Sequence, residues 1–298
     1  MVVFLSNVMD LDCFEDHYSL LQCRSCDLIH SDPYPTEAMI GKLYAEGKST
    51  DYEFPERGLI GRLKDLVAQR QVRRIGRLAK IRPRKILDFG TGAGRFAAAA
   101  TGAYRTAEVV GADFAASPPL GSYYERGLAG LRYLDYNTLR NSGDRFDLIL
   151  ARHVLEHTHD PVGMARSWLN LLAPNGVLYV EVPNANSRTA RILPKRWPLW
   201  YVPKHLTHFT RRTLPMILEA AGGQIDVGRC ELPMMGNVLA LLAGRSRFDG
   251  LFKLPGILLH PLQLALEGIG GESTCLYAIV RCSNAEGLKQ ASSSLATA

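Results

Sequence analysis

The 298-residue sequence lacks, in its opening "MVVFLSNVMDLDCFEDHY", the charged leader, long apolar run and small-residue cleavage site of a secretory signal. No apolar run reaches the roughly 18–20 residues of a membrane span, and no segment of about 20–50 residues repeats. Cysteine is scarce, with six residues: Cys13, Cys23, Cys26, Cys230, Cys275 and Cys282. Without an export signal these are expected as thiols rather than disulfides, and the expected location is the cytoplasm. Charge excess is modest, +6 with 21% charged and 47% hydrophobic residues, the balance of an ordinary soluble chain. A basic surplus is compatible with an anionic partner, but alone it describes only a solvated basic surface.

What is present divides the chain into three parts. Residues 1–55 read as an irregular cysteine-containing segment with one C-x-x-C (Cys23, Cys26), the turn-rich "HSDPYPTE" and a short helix at "AMIGKLYAEG". Residues 56–283 read as one domain with an insertion at 233–271, and 284–298 as a disordered tail. From Arg57 to Ile81, Leu59, Leu63, Leu66, Ile75 and Leu78 recur at helical intervals between arginines and lysines. That pattern predicts an amphipathic helix packed on the core by this stripe, its basic face solvated. Beyond Arg82, short apolar strands alternate with helices, the pattern of a parallel α/β sheet. Strands are expected at 85–89, 107–112, 131–134, 146–151, 176–182, 224–230 and 274–282, and helices at 94–104, 161–172 and 211–221. A long connection, "NANSRTARILPKRWPLWYVPKHLTHF", holds two of the three tryptophans, and its aromatic content points to a functional loop. The leucine-rich stretch 236–269 is open to three readings: a cover for the site, a dimer surface or a membrane contact.

The first expected strand runs into "KILDFGTGAGRF", which places backbone N–H groups and a helix N-terminus beside a ligand. No Lys-Ser or Lys-Thr stands where a phosphate-binding loop requires one. The glycines are Gly90, Gly92 and Gly94, with Arg95 where a dinucleotide fingerprint needs its third glycine. Asp88, two residues ahead of Gly90, would repel a pyrophosphate but suits a cationic ammonium or sulfonium. Asp113, closing "VVGADF", can accept from ribose hydroxyls. A ribose and a positively charged amino acid on one molecule describe S-adenosylmethionine.

The ordered motifs "ILDFGTGAGRF", "VVGADF", "FDLILARHVLEH", "LLAPNGVLYVEVPN" and "HLTHFTRRTLPMILEAAG" together resemble those of class I S-adenosylmethionine-dependent methyltransferases, in the branch with "LEH" after strand four. The resemblance covers about residues 82–282. It implies an α/β, Rossmann-like seven-stranded sheet of order 3-2-1-4-5-7-6 with the last strand antiparallel. It further implies that Asp88, Gly90, Gly92 and Gly94 contact the cofactor's methionine part, Asp113 its ribose and Asp135 its adenine, with His153 at the methionine end.

Methyl transfer from a sulfonium is a displacement at carbon, so alignment and exclusion of water dominate, and a base matters only for a protonated acceptor. Glu156 beside His157 forms a candidate acid and base pair, in which the carboxylate raises the imidazole's pKa and fixes its tautomer. His205, with Trp200 and Tyr201, is the candidate to close over the acceptor. The expected partner is a small molecule, a sugar or another hydroxylated metabolite. Nucleic acid is not favoured, because no N-P-P-Y-like tetrapeptide follows strand four, and a non-catalytic cofactor-binding role stays open. Membrane contact rests only on 236–269, and the oligomeric state is not readable. The N-terminal "LLQCRSCDLIHSDPYPTE" is similar to half of a small zinc-binding module found ahead of such domains. Either it is a degenerate, metal-free module, or zinc is held by Cys13, His17, Cys23 and Cys26.

Overall fold

The computed structural model describes residues 1–9, 17–45, 54–56, 58–230, 238–239, 243, 253–270 and 272–283. The tail 284–298 and most of 233–252 lie outside the described residues. Seven strands form the main sheet: β4 (Lys85–Phe89), β5 (Glu108–Asp113), β6 (Leu131–Asp135), β7 (Phe146–Arg152), β8 (Leu172–Pro183), β10 (Gly223–Cys230) and β11 (Cys275–Cys282). Their spatial order is β10-β11-β8-β7-β4-β5-β6. The five central strands β8, β7, β4, β5 and β6 are parallel, while β11 runs antiparallel to β8 and β10. This is the expected 3-2-1-4-5-7-6 order. Strands buried on both faces need apolar residues throughout, and Ile86, Leu87, Leu148, Ile149, Leu150, Leu178 and Val180 are all fully buried.

Helices cover both faces: α2 (Gly58–Leu78) and α3 (Arg95–Ala103) on one, α5 (Pro161–Asn170) and α7 (Thr213–Ala220) on the other. Short α4 (Tyr136–Asn141) follows β6, and α5 begins as its sequence directs, with Asp160 accepting from Gly163 N at 2.8 Å and proline in the first turn. The helix expected over 161–172 ends at Asn170, since β8 already starts at Leu172 and Asn175 absorbs the bend at φ 63°. Helix α8 (Lys253–Gly270) falls within the leucine-rich stretch, and among the described residues no helix is long and apolar enough to cross a membrane.

Two expectations are corrected. The leucines of α2 do not face the core: Leu59, Leu63 and Leu66 are 82%, 57% and 40% exposed, while Ala68, Val72, Ile75 and Ala79 are buried. Its neighbour α3 is alanine-rich, and Ala68, Val72 and Ile75 pack with Ala97, Ala99 and Ala100 in one cluster. A Cβ on Gly76 would lie 2.0 Å from the Tyr104 hydroxyl.

Nor is the N-terminal segment irregular. Strands β1 (Val2–Met9), β2 (His17–Gln22) and β3 (Ile29–Asp32) form an antiparallel sheet, followed by α1 (Glu37–Ala45). The sheet's fourth strand is β9 (Thr207–His208), from the long connection. Val8, Tyr18, Leu20 and Ile29 pack under Ala185, Ala190, Trp197, Trp200 and Val202, and α6 (Arg188–Ile192) lies in the same connection. Trp197 and Trp200 bury their rings there, their indole N–H groups donating to Thr189 Oγ1 and the Pro194 carbonyl. The N-terminal sheet is therefore the floor on which the connection is folded.

Leu20→Ala is expected to cost about 3 kcal/mol and to speed amide exchange across 197–208 more than across β4 and β7. Hydrogen exchange read by mass spectrometry checks this, with equal acceleration in both regions counting against a separate floor.

Candidate active site

Strand β4 delivers Asp88 to the carboxyl end of the sheet, where it is buried and accepts a 2.9 Å bond from Thr91 Oγ1. Burial pushes this carboxyl up to about 6, against the pull of the Thr91 bond and Arg152. Gly90, Gly92 and Gly94 all adopt positive φ, at 72°, 50° and 86°, and such a turn needs glycine. At Gly90 a Cβ would also meet Val154 Cγ2 at 2.3 Å. Asp113, ending β5, accepts from Gly92 N at 3.0 Å and Phe114 N at 2.8 Å, so it braces the turn from the next strand. Arg95 stands in place of a third glycine because it ties helices together: its guanidinium donates to Asp65 of α2 and to the Phe54 carbonyl, each at 3.0 Å.

Tyr124, which the sequence reading missed, lies over this turn. Its hydroxyl is 2.6 Å from Thr91 Oγ1, and a Cβ on Gly94 or Gly111 would run into it. Phe114 is exposed beside Asp113, in edge contact with Phe89 and Tyr136. Asp135 lies across from Asp113 in the sheet, but its carboxylate caps α4, accepting from Asn137 N and Thr138 N at 3.0 Å.

The second half of the site leaves β7. Arg152 pairs in register with Glu181 of β8, and its guanidinium donates to Glu181 Oε1 at 2.9 Å while lying on the Phe96 ring. Tyr179 Oη donates to the other oxygen at 2.8 Å. His153 follows at φ 53°, its backbone N–H donating to the Glu181 carbonyl at 2.8 Å. Its ring stands between two carboxylates, with Nε2 3.2 Å from Glu181 Oε1 and Nδ1 3.4 Å from Glu156 Oε1. Burial opposes charge on this ring, but the two carboxylates raise it to about 10, so it is an imidazolium at neutral pH. For Glu181, burial alone would raise the carboxyl, yet Arg152 and His153 hold it well below the usual range. Glu181 and Tyr179 were also missed. The available signal was a charge inside the apolar run "VLYVEVP", since a lone carboxylate in a central strand needs partners.

Glu156 is 1% exposed, and neither of its oxygens accepts a hydrogen bond among the described residues. His205 Nε2 is 3.9 Å from Glu156 Oε1. Glu156 stands close to His157, and its charge favours the imidazole's proton as expected, but it does not set the tautomer or the net direction of the shift. The tautomer of His157 is fixed by Lys204, whose carbonyl accepts from Nδ1 at 2.9 Å, and burial lowers the imidazole's pKa despite the Glu156 charge. His157 is thus neutral, with the proton on Nδ1. His205 is oriented the same way, Nδ1 donating to the Leu199 carbonyl at 2.8 Å. The rings of His157 and His205 are 4.6 Å apart, and Tyr201 flanks His205 at 5.2 Å; Trp200 is buried beneath and does not close over the site.

The backbone around His205 hangs from the N-terminal sheet and from Glu156. Ser31 N donates to the Leu206 carbonyl, Ser31 Oγ to the His205 carbonyl, and Leu206 N to the Glu156 carbonyl, at 3.0, 2.7 and 2.8 Å. Ser31 had no sequence signal, because its partner is 174 residues away.

Donor atoms of Glu156, His157 and His205 lie within 4.8 Å of one another, a set whose imidazoles and carboxylate suit a divalent transition metal. The zinc set expected at the N-terminus does not converge. Cys13 lies outside the described residues, His17 opens β2 and Cys23 follows its far end. An extended strand rises ~3.3 Å per residue, leaving about 20 Å between those two. Cys23 and Cys26 do share one tight turn, where the Ser25 hydroxyl and then the Cys26 amide lower the Cys23 thiol to about 6.

A family model described as "Methyltransferase domain" matches residues 61–226. The ubiquinone biosynthesis O-methyltransferase of Azorhizobium caulinodans is 30% identical over 175 residues, 55% of this chain and 68% of that protein. The enzyme of the same name from Cereibacter sphaeroides (strain KD131) is 31% identical over 126 residues, 40% of this chain. The chain thus spans 50% of the length of that relative. Among solved structures, the plantazolicin methyltransferase BamL is similar at 15% identity and TM-score 0.49, over 85% of this chain and 92% of that one. Human N-acetylserotonin methyltransferase is similar at 14% identity and TM-score 0.49, over 84% and 60%. Matched by the family model over more than half its length, this chain belongs to the methyltransferase-domain family.

Proposed function

We propose that this chain transfers a methyl group from S-adenosylmethionine to a hydroxyl of a small-molecule acceptor. The observation that carries the reading is the meeting, at the carboxyl ends of β4 and β7, of a buried acid beside a glycine turn with a neutral imidazole. Asp88 fits the cofactor because a buried carboxylate whose pKa is raised to about 6 is still ionised at neutral pH and gains from a cationic ammonium. Asp113 offers oxygens towards ribose hydroxyls, and exposed Phe114 offers a flat apolar surface to a purine. Asp135 keeps its cap and borders the same pocket edge. When bound, the cofactor supplies a methyl group on a positively charged sulfur.

The remaining work belongs to side chains of this protein. His157 Nε2 accepts the acceptor's hydroxyl proton, while its Nδ1–H stays on the Lys204 carbonyl. Glu156, buried with no hydrogen-bond donor of its own among the described residues, stabilises the imidazolium as it forms. His205 and Tyr201 orient the acceptor, and the His153 ring stands 3.4 Å from Glu156 Oε1. The ubiquinone-pathway relatives are named O-methyltransferases, which favours oxygen as the accepting atom. A sugar or other hydroxylated metabolite fits this chemistry.

Calorimetry with S-adenosylmethionine is expected to show affinity falling as pH drops through about 6, because protonation removes the Asp88 charge, and Asp88→Ala is expected to abolish binding. Full affinity in that variant rejects the assignment. His157→Ala is expected to leave cofactor binding intact and to lower kcat about 100-fold. Because a neutral imidazole is required and its pKa is lowered, the acid limb of kcat/KM for the acceptor falls below the ordinary histidine value of 6.5. A limb at or above that value removes His157 as the base.

A further inference from the structure

Helix α2 turns Ala68, Val72 and Ile75 to the core and leaves an outward face of unusual make-up. Leu59, Leu63, Leu66 and Val67 are exposed at 82%, 57%, 40% and 44%. Arg70, Arg73, Arg74 and Arg77, further along the helix, are exposed as well. At 3.6 residues per turn all eight fall within an arc of roughly 120°. One face therefore carries about 12 Å of aliphatic side chains followed by about 10 Å of guanidinium groups. The only acid of the helix, Asp65, points sideways to Arg95, Tyr123 and Arg126 and does not neutralise this face.

We propose that this face of α2 docks on an anionic lipid bilayer. The four apolar side chains enter the boundary between headgroups and acyl chains, and the four arginines meet lipid phosphates. Charge complementarity selects this occupant. A helix lying in the membrane interface gains from buried aliphatic area and from cations beside anionic headgroups, and long arginine side chains can reach up to the phosphates. A nucleic acid would use the arginines but has no use for a block of leucines, since bases stack on aromatic rings. A second copy fits no better. Pairing α2 with α2 in parallel sets arginine against arginine, and the antiparallel arrangement buries the guanidinium groups of each copy under the other's leucines. Asp65 links the leucine end of α2 to Arg95, the first residue after the glycine turn. Docking therefore holds the cofactor end of the sheet near the lipid surface. The inference stands apart from the proposed reaction and concerns α2 rather than the leucine-rich 236–269.

The test is sedimentation of the full chain with vesicles of phosphatidylglycerol and phosphatidylcholine, against vesicles of phosphatidylcholine alone. Binding is expected to the anionic vesicles and to weaken between about 0.1 M and 1 M salt. A variant carrying Leu59→Ser, Leu63→Ser and Leu66→Ser is expected to lose at least about tenfold in partitioning. A variant carrying Arg70→Gln, Arg73→Gln, Arg74→Gln and Arg77→Gln is expected to lose the preference for anionic lipid. Thermal melts matching the parent show that both variants are folded, and a parent bearing Leu63→Trp is expected to shift its emission to the blue on vesicles. Absence of vesicle binding overturns the proposal, as does binding unchanged in both variants. Two further outcomes also overturn it: RNA binding that needs the arginines but not the leucines, without vesicle binding, or a dimer in light scattering that only the leucine variant dissolves.

Discussion

A carboxylate carried into the middle of a parallel sheet has to be neutralised where it sits, and Glu181 imposes that requirement on everything around it. Its register partner on β7 is Arg152, which supplies one cation. One cation does not suffice, because Glu156 brings a second buried carboxylate to the same place. His153 balances the pair by standing between them as an imidazolium, at the expense of a left-handed backbone that disfavours side-chain-bearing residues by about 1 kcal/mol. That conformation turns the chain sharply after β7. The turn in turn presents Glu156 and His157 beside His205 rather than along the next helix.

Neutral and charged imidazoles are thereby separated within five residues. His153 sees two carboxylates and keeps its proton. His157 is buried with a backbone carbonyl as its partner, and loses it readily. The other wall of the site depends on the N-terminal sheet. Ser31 holds the His205 and Leu206 carbonyls, and β3 pairs with β9 immediately beyond. An aromatic connection with little regular structure is thus fixed by two strands' worth of hydrogen bonds and a tryptophan-rich cluster.

The seven strands and the glycine turn were legible because their signals are local: apolar runs of strand length, glycines at positive φ, and an acid at each of two strand ends. The N-terminal sheet was not, since its strands are short and its last pairing spans the chain from Ile29 to His208. Periodicity located α2 correctly and placed Ile75 in the core, but its leucines lie outside, because Ala68, Val72 and Ile75 form the face that packs on alanine-rich α3. Of the two carboxylates beside the His153 ring, Glu156 is three residues away in the sequence, whereas Glu181 became visible only when β7 and β8 were set side by side. The zinc reading rested on a spacing that takes no account of β2 holding His17 and Cys23 apart.

The claim on which the chemistry rests is that neighbouring histidines carry different charge at neutral pH. Nitrogen-15 NMR of the imidazoles, with assignment through His153→Gln and His157→Gln, measures this directly. The account predicts a His153 ring doubly protonated through neutral pH and titrating near 10, with His157 protonated on Nδ1 alone. A His153 that titrates at the ordinary histidine value of 6.5, or a His157 that is charged at neutral pH, would contradict it.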